Sequence, residues 1–158
     1  MATETDVVTV ERFIPAPAEA IFELISDPQR HAEMDGGGSI VQARGRAGRR
    51  LKLGDSFGMD MKIGLSYSTR NVVIAYEPNR VLAWQTLAPA PLDKLITGRI
   101  WRYELEPAEG GTLVRETWDI RQERVLSKMG VRRMGPMTRR NMLATLARIE
   151  EIVTAPTS

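Results

Sequence analysis

The sequence predicts one α+β domain in which a curved antiparallel sheet, of about six to seven strands, wraps around a long C-terminal helix. Three observations carry this prediction. Most of the chain consists of short runs with strand character, separated by turn residues. A short helix bounded by prolines follows the first of these runs, and one long amphipathic pattern closes the chain. Because that last helix is the only long element available to cover the sheet, space left between them would form a pocket.

The N-terminal part predicts a strand over about Val7 to Ile14, followed by a short helix. Pro17 suits a first helical turn because its ring fixes φ and no backbone donor is needed there. The next apolar residues recur with helical spacing on one face, at Ile21, Leu24 and Ile25. Asp27-Pro28 then ends the helix.

The middle of the chain predicts four strands after a glycine break at Gly36 to Gly38. The first runs from Ser39 to Ala43. The second alternates apolar and polar residues with period 2, and its apolar positions are Phe57, Met59, Met61 and Ile63. Two further strands, Tyr67 to Tyr76 and Val81 to Leu87, are joined by a turn at Glu77 to Arg80.

The C-terminal part predicts a β-hairpin and the long helix. Pro107 to Gly111 supplies the turn, and alternation on both sides points one set of residues inward: Trp101, Tyr103, Leu105, Val114, Glu116, Trp118 and Ile120. The helix is expected from about Thr138 to Val153. Its apolar face consists of Met142, Leu146, Ile149 and Val153.

Composition limits the classes of function. The 158 residues make a single domain over 1–158, and the absence of cysteine excludes disulfides, thiolate metal sites and cysteine nucleophiles. The acidic N-terminus predicts no secretory signal, and no run of about 18 apolar residues predicts membrane insertion. We therefore expect a cytoplasmic protein.

Basic residues concentrate in two segments although the net charge is only +2. The first segment contains Arg44, Arg46, Arg49, Arg50 and Lys52, and the second contains Lys128, Arg132, Arg133, Arg139 and Arg140. Either could meet an anionic partner, and the simpler interpretation is a solvated surface. No aromatic residues are interleaved with them, so we expect no nucleic-acid partner.

Three segments resemble the START-like (SRPBCC, or pollen-allergen-like) superfamily. They are Pro15 to His31, Tyr76 to Trp84 and Tyr103 to Asp119, and the likeness extends over about Val7 to Val153. The sequence is most similar to the bacterial group called polyketide cyclase/dehydrase and lipid transport. The resemblance implies a helix-grip fold, a cup around one apolar cavity. Many relatives carry an aromatic residue where this chain has Met34, so we expect a wider or more adaptable cavity mouth.

Glu116 is the leading candidate for chemistry. The turn at Pro107 to Gly111 would pair Tyr103 with Glu116, and Trp101 with Trp118. Burial among these rings should raise the pKa of the carboxyl group and make it a proton donor or acceptor for a carbonyl-bearing ligand. The alternatives are a structural carboxylate paired with Tyr103 or Arg99, and a cavity-wall group bonded to water.

His31 is a second candidate because a histidine is the ordinary acid or base near neutral pH. With Glu116 and Tyr103 it completes the proposed catalytic set. The alternative is a surface histidine just after a helix end. As a metal site the segment is weak, since it offers one imidazole and two carboxylates, and we expect no metal and no cofactor.

The expected ligand-binding residues combine adaptable methionines with large aromatic side chains. On the strands they are Phe57, Met59, Met61, Trp84, Trp101, Tyr103, Glu116 and Trp118. Met34 near the mouth and Met137, Met142 and Leu146 of the last helix complete the set. The alternative for each apolar residue is that it only fills the core.

Three functions remain open on the sequence. The first is binding or transport of a small hydrophobic or aromatic, lipid- or polyketide-like molecule in the cavity. The second is a cofactor-independent cyclase or dehydratase that uses the inward polar residues. The third, by resemblance to chaperone co-activators, is an interaction protein that uses its basic surfaces. Exposed edge strands also make a homodimer an option.

Overall fold

The computed structural model describes residues 6–36, 40–44, 51–63, 65–90, 93 and 96–156. Strands β1 (Val7–Ile14), β2 (Ile40–Arg44), β3 (Ser56–Ile63), β4 (Leu65–Glu77), β5 (Val81–Leu87), β6 (Thr97–Ala108) and β7 (Gly111–Asp119) form one sheet. The helices are α1 (Ala18–Ile25), α2 (His31–Met34), α3 (Val125–Val131) and α4 (Gly135–Thr154). One-turn 3₁₀ segments, Pro28–Arg30 and Arg132–Met134, precede α2 and α4.

The described sheet has the order β1-β7-β6-β5-β4-β3-β2, and each neighbouring pair is antiparallel. The predicted fold class is therefore confirmed: an α+β helix-grip fold with a long C-terminal helix. The residues predicted for β1 and β5 match the observed bounds, because alternation and turn residues mark both ends of these strands.

The 20-residue helix α4 is held by a buried face that includes Met142, Leu146 and Ile149, each 0–1% exposed. It begins at Gly135 rather than at the predicted Thr138, because Pro136 in its first turn needs no hydrogen-bond acceptor. The sequence analysis missed α3. Its apolar residues Val125 and Leu126 are 73% and 86% exposed, so no buried stripe marked it as a helix.

The β6–β7 hairpin turns more tightly than predicted. The strands continue to Ala108 and resume at Gly111, which leaves only Glu109 and Gly110 between paired residues. Gly110 has φ +82°, a conformation that glycine adopts without strain. A two-residue turn fixes the register of both strands, and this register determines which side chains meet in the centre of the sheet.

The predicted basic segments are only partly described. Residues 45–50, with Arg46, Arg49 and Arg50, lie outside the described residues. In the second segment Arg133, Arg139 and Arg140 are exposed, and Arg132 forms an ion pair with the buried Asp6. No helix in the described part of the chain is long and apolar enough to span a membrane.

Candidate functional site

A cavity of about 160 Å³ lies between the sheet, α2 and α4. Its wall includes all three tryptophans of the chain, Trp84, Trp101 and Trp118. Six of the eight methionines also line it: Met34, Met59, Met61, Met134, Met137 and Met142. The wall is therefore built mainly from large and polarisable apolar side chains, which suit an apolar ligand.

Most of the predicted binding residues come together on this wall. They are His31, Met34, Met59, Met61, Trp84, Trp101, Tyr103, Glu116, Trp118, Met137 and Met142. Phe57 and Leu146 are not among the lining residues and are buried in the hydrophobic core. The Phe57 ring packs edge-on against His31 at 5.3 Å and against Trp84 at 5.6 Å, so it supports two wall residues instead.

Glu116 is the one acidic residue of β7 that points into the core. It is 2% exposed and stands opposite Tyr103, as the hairpin pattern predicts. The Tyr103 hydroxyl donates a hydrogen bond to Glu116 Oε1 at 2.9 Å. Glu116 Oε2 has no hydrogen-bond partner among the described residues. The carboxyl group therefore has one oxygen with a hydrogen-bond partner and one without a partner among the described residues.

Burial keeps the Glu116 carboxyl group uncharged. It raises the pKa of Glu116 from 4.5 to about 8; the Tyr103 hydrogen bond lowers this pKa and the charge of Asp35 raises it. Burial, and then Glu116 itself, raises the pKa of Tyr103 well above 10. At neutral pH both groups carry their protons; the Tyr103 proton is donated to Glu116 Oε1, so the pair has one donor left, the protonated Oε2 of Glu116.

His31 is fully buried, so the alternative of a surface histidine is wrong. The turn after Pro28 returns the chain under the sheet, where the imidazole ring stacks on Trp84 at 5.2 Å. His31 Nε2 lies 2.8 Å from the Ile25 carbonyl oxygen, and Nδ1 has no partner among the described residues. Burial lowers the pKa of His31 to about 4, against weaker opposing effects of the Ile25 hydrogen bond and of nearby carboxylates.

A polar part of the wall was not predicted from the sequence; it is formed by Thr69, Asn71 and Thr86. The Thr86 hydroxyl donates to Asn71 Oδ1 at 2.7 Å, and Asn71 Nδ2 donates to Thr69 Oγ1 at 3.2 Å. A signal was available, because Thr69 and Asn71 share strand parity with the buried Val73. This alternation is hard to recognise in the sequence because Thr69 and Asn71 are polar, and inward positions are usually identified by apolar residues.

Helix α4 adds three polar residues to the wall, Thr138, Asn141 and Thr145. Thr145 Oγ1 accepts from the Gly36 backbone N–H at 2.9 Å, which ties the segment after α2 to the helix. On the opposite side, Arg99 lines the cavity and donates to Glu123 Oε1 at 2.8 Å. Within the described residues, no three His, Asp or Glu side chains group as metal ligands.

Comparisons with known proteins agree with this architecture. An uncharacterized protein of Mycobacterium tuberculosis, Rv0088, is 35% identical over 108 residues, which are 67% of this chain and 44% of that protein. The chain thus spans less than half the length of this curated relative. Crystal structures of MLL2253 from Mesorhizobium loti and Ms6760 from Mycobacterium smegmatis share the fold, each with a TM-score of 0.72.

The two structures are only 17% and 16% identical to this chain, so they bear on the fold alone. MLL2253 matches over 96% of this chain and 99% of its own, and Ms6760 over 99% and 96%. The family described as polyketide cyclase / dehydrase and lipid transport matches residues 5–153. With a helix-grip fold around an apolar cavity and a family match over nearly its whole length, the chain belongs to this SRPBCC-type family of ligand-binding proteins.

Proposed function

We propose that the protein binds a small apolar ligand with an aromatic ring in the cavity between the sheet and α4. The observation that carries this proposal is the wall itself, with three tryptophans and six methionines around about 160 Å³. An apolar cavity of roughly 150 Å³ is large enough for benzene. By volume, the space is therefore sufficient for one ring.

Larger ligands require the methionines to move. Methionine is unbranched and has three rotatable bonds, so such walls repack at low cost. Met137, which is 39% exposed, and the half-buried Met61 have solvent on one side into which they can turn. We infer that two fused rings enter by displacing these side chains and that a rigid third ring exceeds the space.

A series of hydrocarbons tests the size of the site. Toluene, naphthalene and anthracene differ in ring number and carry no polar group, so calorimetry reports fit alone. We expect toluene to bind, naphthalene to bind with a comparable or weaker affinity, and anthracene to show no heat of binding. Because every tryptophan lies on the wall, toluene should also change the tryptophan emission of the protein.

A cavity-filling variant supplies the control. Met61→Trp places a larger ring in the same space and is expected to weaken toluene binding by about tenfold or more, the loss of roughly 1.4 kcal/mol of contacts. Leu143→Trp makes a similar change on the exposed face of α4, outside the described wall, and should bind toluene as the wild type does. Equal affinities of both variants for toluene would overturn the proposal.

A second candidate function is proton-transfer catalysis of the cyclase or dehydratase type. The observation that favours it is Glu116 Oε2, which holds a proton at neutral pH and has no partner among the described residues. Such a group can protonate a carbonyl or a leaving hydroxyl oxygen in a dry site. A ligand that is bound and converted by wild type, and bound but not converted by Glu116→Gln, would establish this function; turnover by the variant would exclude Glu116 as the acid.

A further inference from the structure

Two residues that line the cavity each have one buried polar atom without a hydrogen-bond partner among the described residues: Glu116 Oε2 and His31 Nδ1. They are not hydrogen-bonded to each other, although both residues line the same cavity. A buried polar atom without a partner costs free energy comparable to a lost hydrogen bond. A ligand that satisfies both atoms therefore recovers that cost on binding.

The two atoms have opposite hydrogen-bonding roles. Glu116 Oε1 accepts from the Tyr103 hydroxyl, so the proton of the neutral acid lies on Oε2, which becomes a donor. The Ile25 carbonyl oxygen can only accept, so His31 Nε2 carries the ring hydrogen. In the neutral imidazole Nδ1 is then an acceptor. Two residues of the cavity wall thus hold one unpartnered donor and one unpartnered acceptor among the described residues.

We propose that the cavity recognises an uncharged hydroxyaryl ketone or aldehyde at two points, with the carbonyl oxygen accepting from Glu116 Oε2 and the hydroxyl donating to His31 Nδ1. This inference rests on the proposed function, since it assigns the polar groups of the same ligand. The tryptophans of the wall offer apolar contacts to the ring of such a ligand, and Trp84 also stacks on His31. An anionic group at either of these two points is disfavoured, because neither Glu116 nor His31 supplies a positive charge there.

Wild-type protein and a set of small ligands test the two points separately. Hydroxyacetophenone, as its 2-, 3- and 4-isomers, offers both groups at three spacings. 4-Ethylphenol lacks the carbonyl group, and 4-methoxyacetophenone lacks the hydroxyl donor. At pH 6.5 we expect the best hydroxyacetophenone isomer to bind about tenfold more tightly than either analogue, as for one buried hydrogen bond. Equal affinities across the set would overturn two-point recognition.

Variants at Glu116 identify the donor. Glu116→Gln keeps an N–H donor in a side chain of the same shape. The ratio of the affinities for 4-methoxyacetophenone and toluene should therefore stay within about threefold of the wild-type ratio. Glu116→Leu removes the donor and should abolish this preference while toluene still binds. A Glu116→Leu variant that retains the ketone preference would refute the role of Glu116.

The variant His31→Phe identifies the acceptor. It keeps a ring for the stack on Trp84 and removes Nδ1, so hydroxyacetophenone and 4-methoxyacetophenone should bind with similar affinities. It also removes the hydrogen bond to Ile25, and loss of folding is a risk. The wild-type ligand comparison does not depend on this variant and keeps the proposal falsifiable.

The pH dependence gives an independent readout. Besides Glu116, the charged or titratable residues that line the cavity are His31 and Asp35 in and next to α2, Tyr67 on β4, and Arg99 and Tyr103 on β6. The described residues of α4 that line the cavity are all uncharged. The pKa of Tyr103 lies well above 10 and that of His31 near 4, so Glu116, with a pKa of about 8, is the group we expect to lose its proton on mild alkalinisation. 4-Methoxyacetophenone does not ionise, so its affinity should fall above about pH 8 in wild type and remain constant in Glu116→Gln.

The outcomes separate this inference from the proposed function. If toluene and the ketones all fail to bind, both are wrong. A second outcome is that toluene binds, that the hydroxyacetophenones bind no more tightly than their analogues, and that the affinity for 4-methoxyacetophenone does not depend on pH. In that case the cavity is a ligand site without two-point recognition. Tight binding of one isomer, lost separately in Glu116→Leu and His31→Phe, supports the inference.

Discussion

The variant Gly111→Ala is expected to lower the free energy of unfolding by more than about 3 kcal/mol, at or beyond the usual range for overpacking. Gly111 begins β7 where β1 ends, and a methyl group there would overlap the Ile14 carbonyl oxygen. It would also stand 2.9 Å from Pro15 Cα. Both neighbours are backbone atoms, so the clash can be relieved only by moving β1 away from β7.

Urea denaturation followed by circular dichroism measures this effect. Gly130→Ala is the matched control, because no described atom other than those of its chain neighbours and of its own helix backbone lies within 4 Å of the added methyl group, and Gly130 is in α3. That variant is expected to be neutral or up to about 1 kcal/mol more stable, since alanine loses less backbone entropy in a helix. A Gly111→Ala protein as stable as Gly130→Ala would show that β1 and β7 are not packed as described.

Glu116→Gln is expected to make the protein more stable at alkaline pH. The pKa of Glu116 is about 8 in the folded protein and 4.5 without burial, so between these values the unfolded chain binds fewer protons. The free energy of unfolding of wild type then falls with pH by about 1.4 kcal/mol per unit. Over the whole interval the contribution amounts to about 5 kcal/mol, and glutamine removes it.

His31 changes the free energy of unfolding with pH in the opposite direction. Its pKa is about 4 in the folded protein and 6.5 without burial, so in this interval the unfolded chain binds more protons and stability rises with pH. The two contributions cancel where the intervals overlap. The free energy of unfolding of wild type should therefore be constant from about pH 4.5 to 6.5 and fall by about 2 kcal/mol between pH 6.5 and 8. Glu116→Gln should instead gain stability up to pH 6.5 and then remain level.

Thermal or urea unfolding at half-unit pH steps tests this pattern. Glu106→Gln changes an exposed carboxylate on the same hairpin and should leave the shape of the wild-type profile unchanged. If Glu116→Gln and wild type lose stability in parallel above pH 6.5, the Glu116 carboxyl group is not buried in its neutral form. In that case the donor assigned to the cavity would also be absent.

The Tyr103–Glu116 pair could be predicted from the sequence because a hairpin is a local structure. Alternation identifies the inward residues, and a short turn fixes which of them stand opposite each other. An error of one residue would have turned Glu116 to solvent, and its apolar neighbours exclude that register. The helix α4 was predictable for a similar reason, since its buried stripe is contained in one segment.

The burial of His31 could not be predicted in this way. It depends on where the turn after α1 directs α2, and the sheet that receives α2 is formed by residues far along the chain. Phe57 illustrates the same limit: it lies on the buried side of its strand, as predicted, but it packs against His31 and Trp84 and does not line the cavity. Local pattern determines which side of a strand is buried; long-range packing determines which buried residues meet a cavity.

The methionine-rich wall makes the cavity sensitive to oxidants. A thioether that becomes a sulfoxide turns from an adaptable apolar group into a polar, chiral one. The chain contains no cysteine to react first, and Met137 on the wall is 39% exposed. The fold depends mainly on aliphatic and aromatic residues such as Leu24, Leu82 and Val114, which mild peroxide does not modify. Mild oxidation should therefore leave the protein folded while the wall becomes more polar, which would weaken binding of the apolar ligand that we propose.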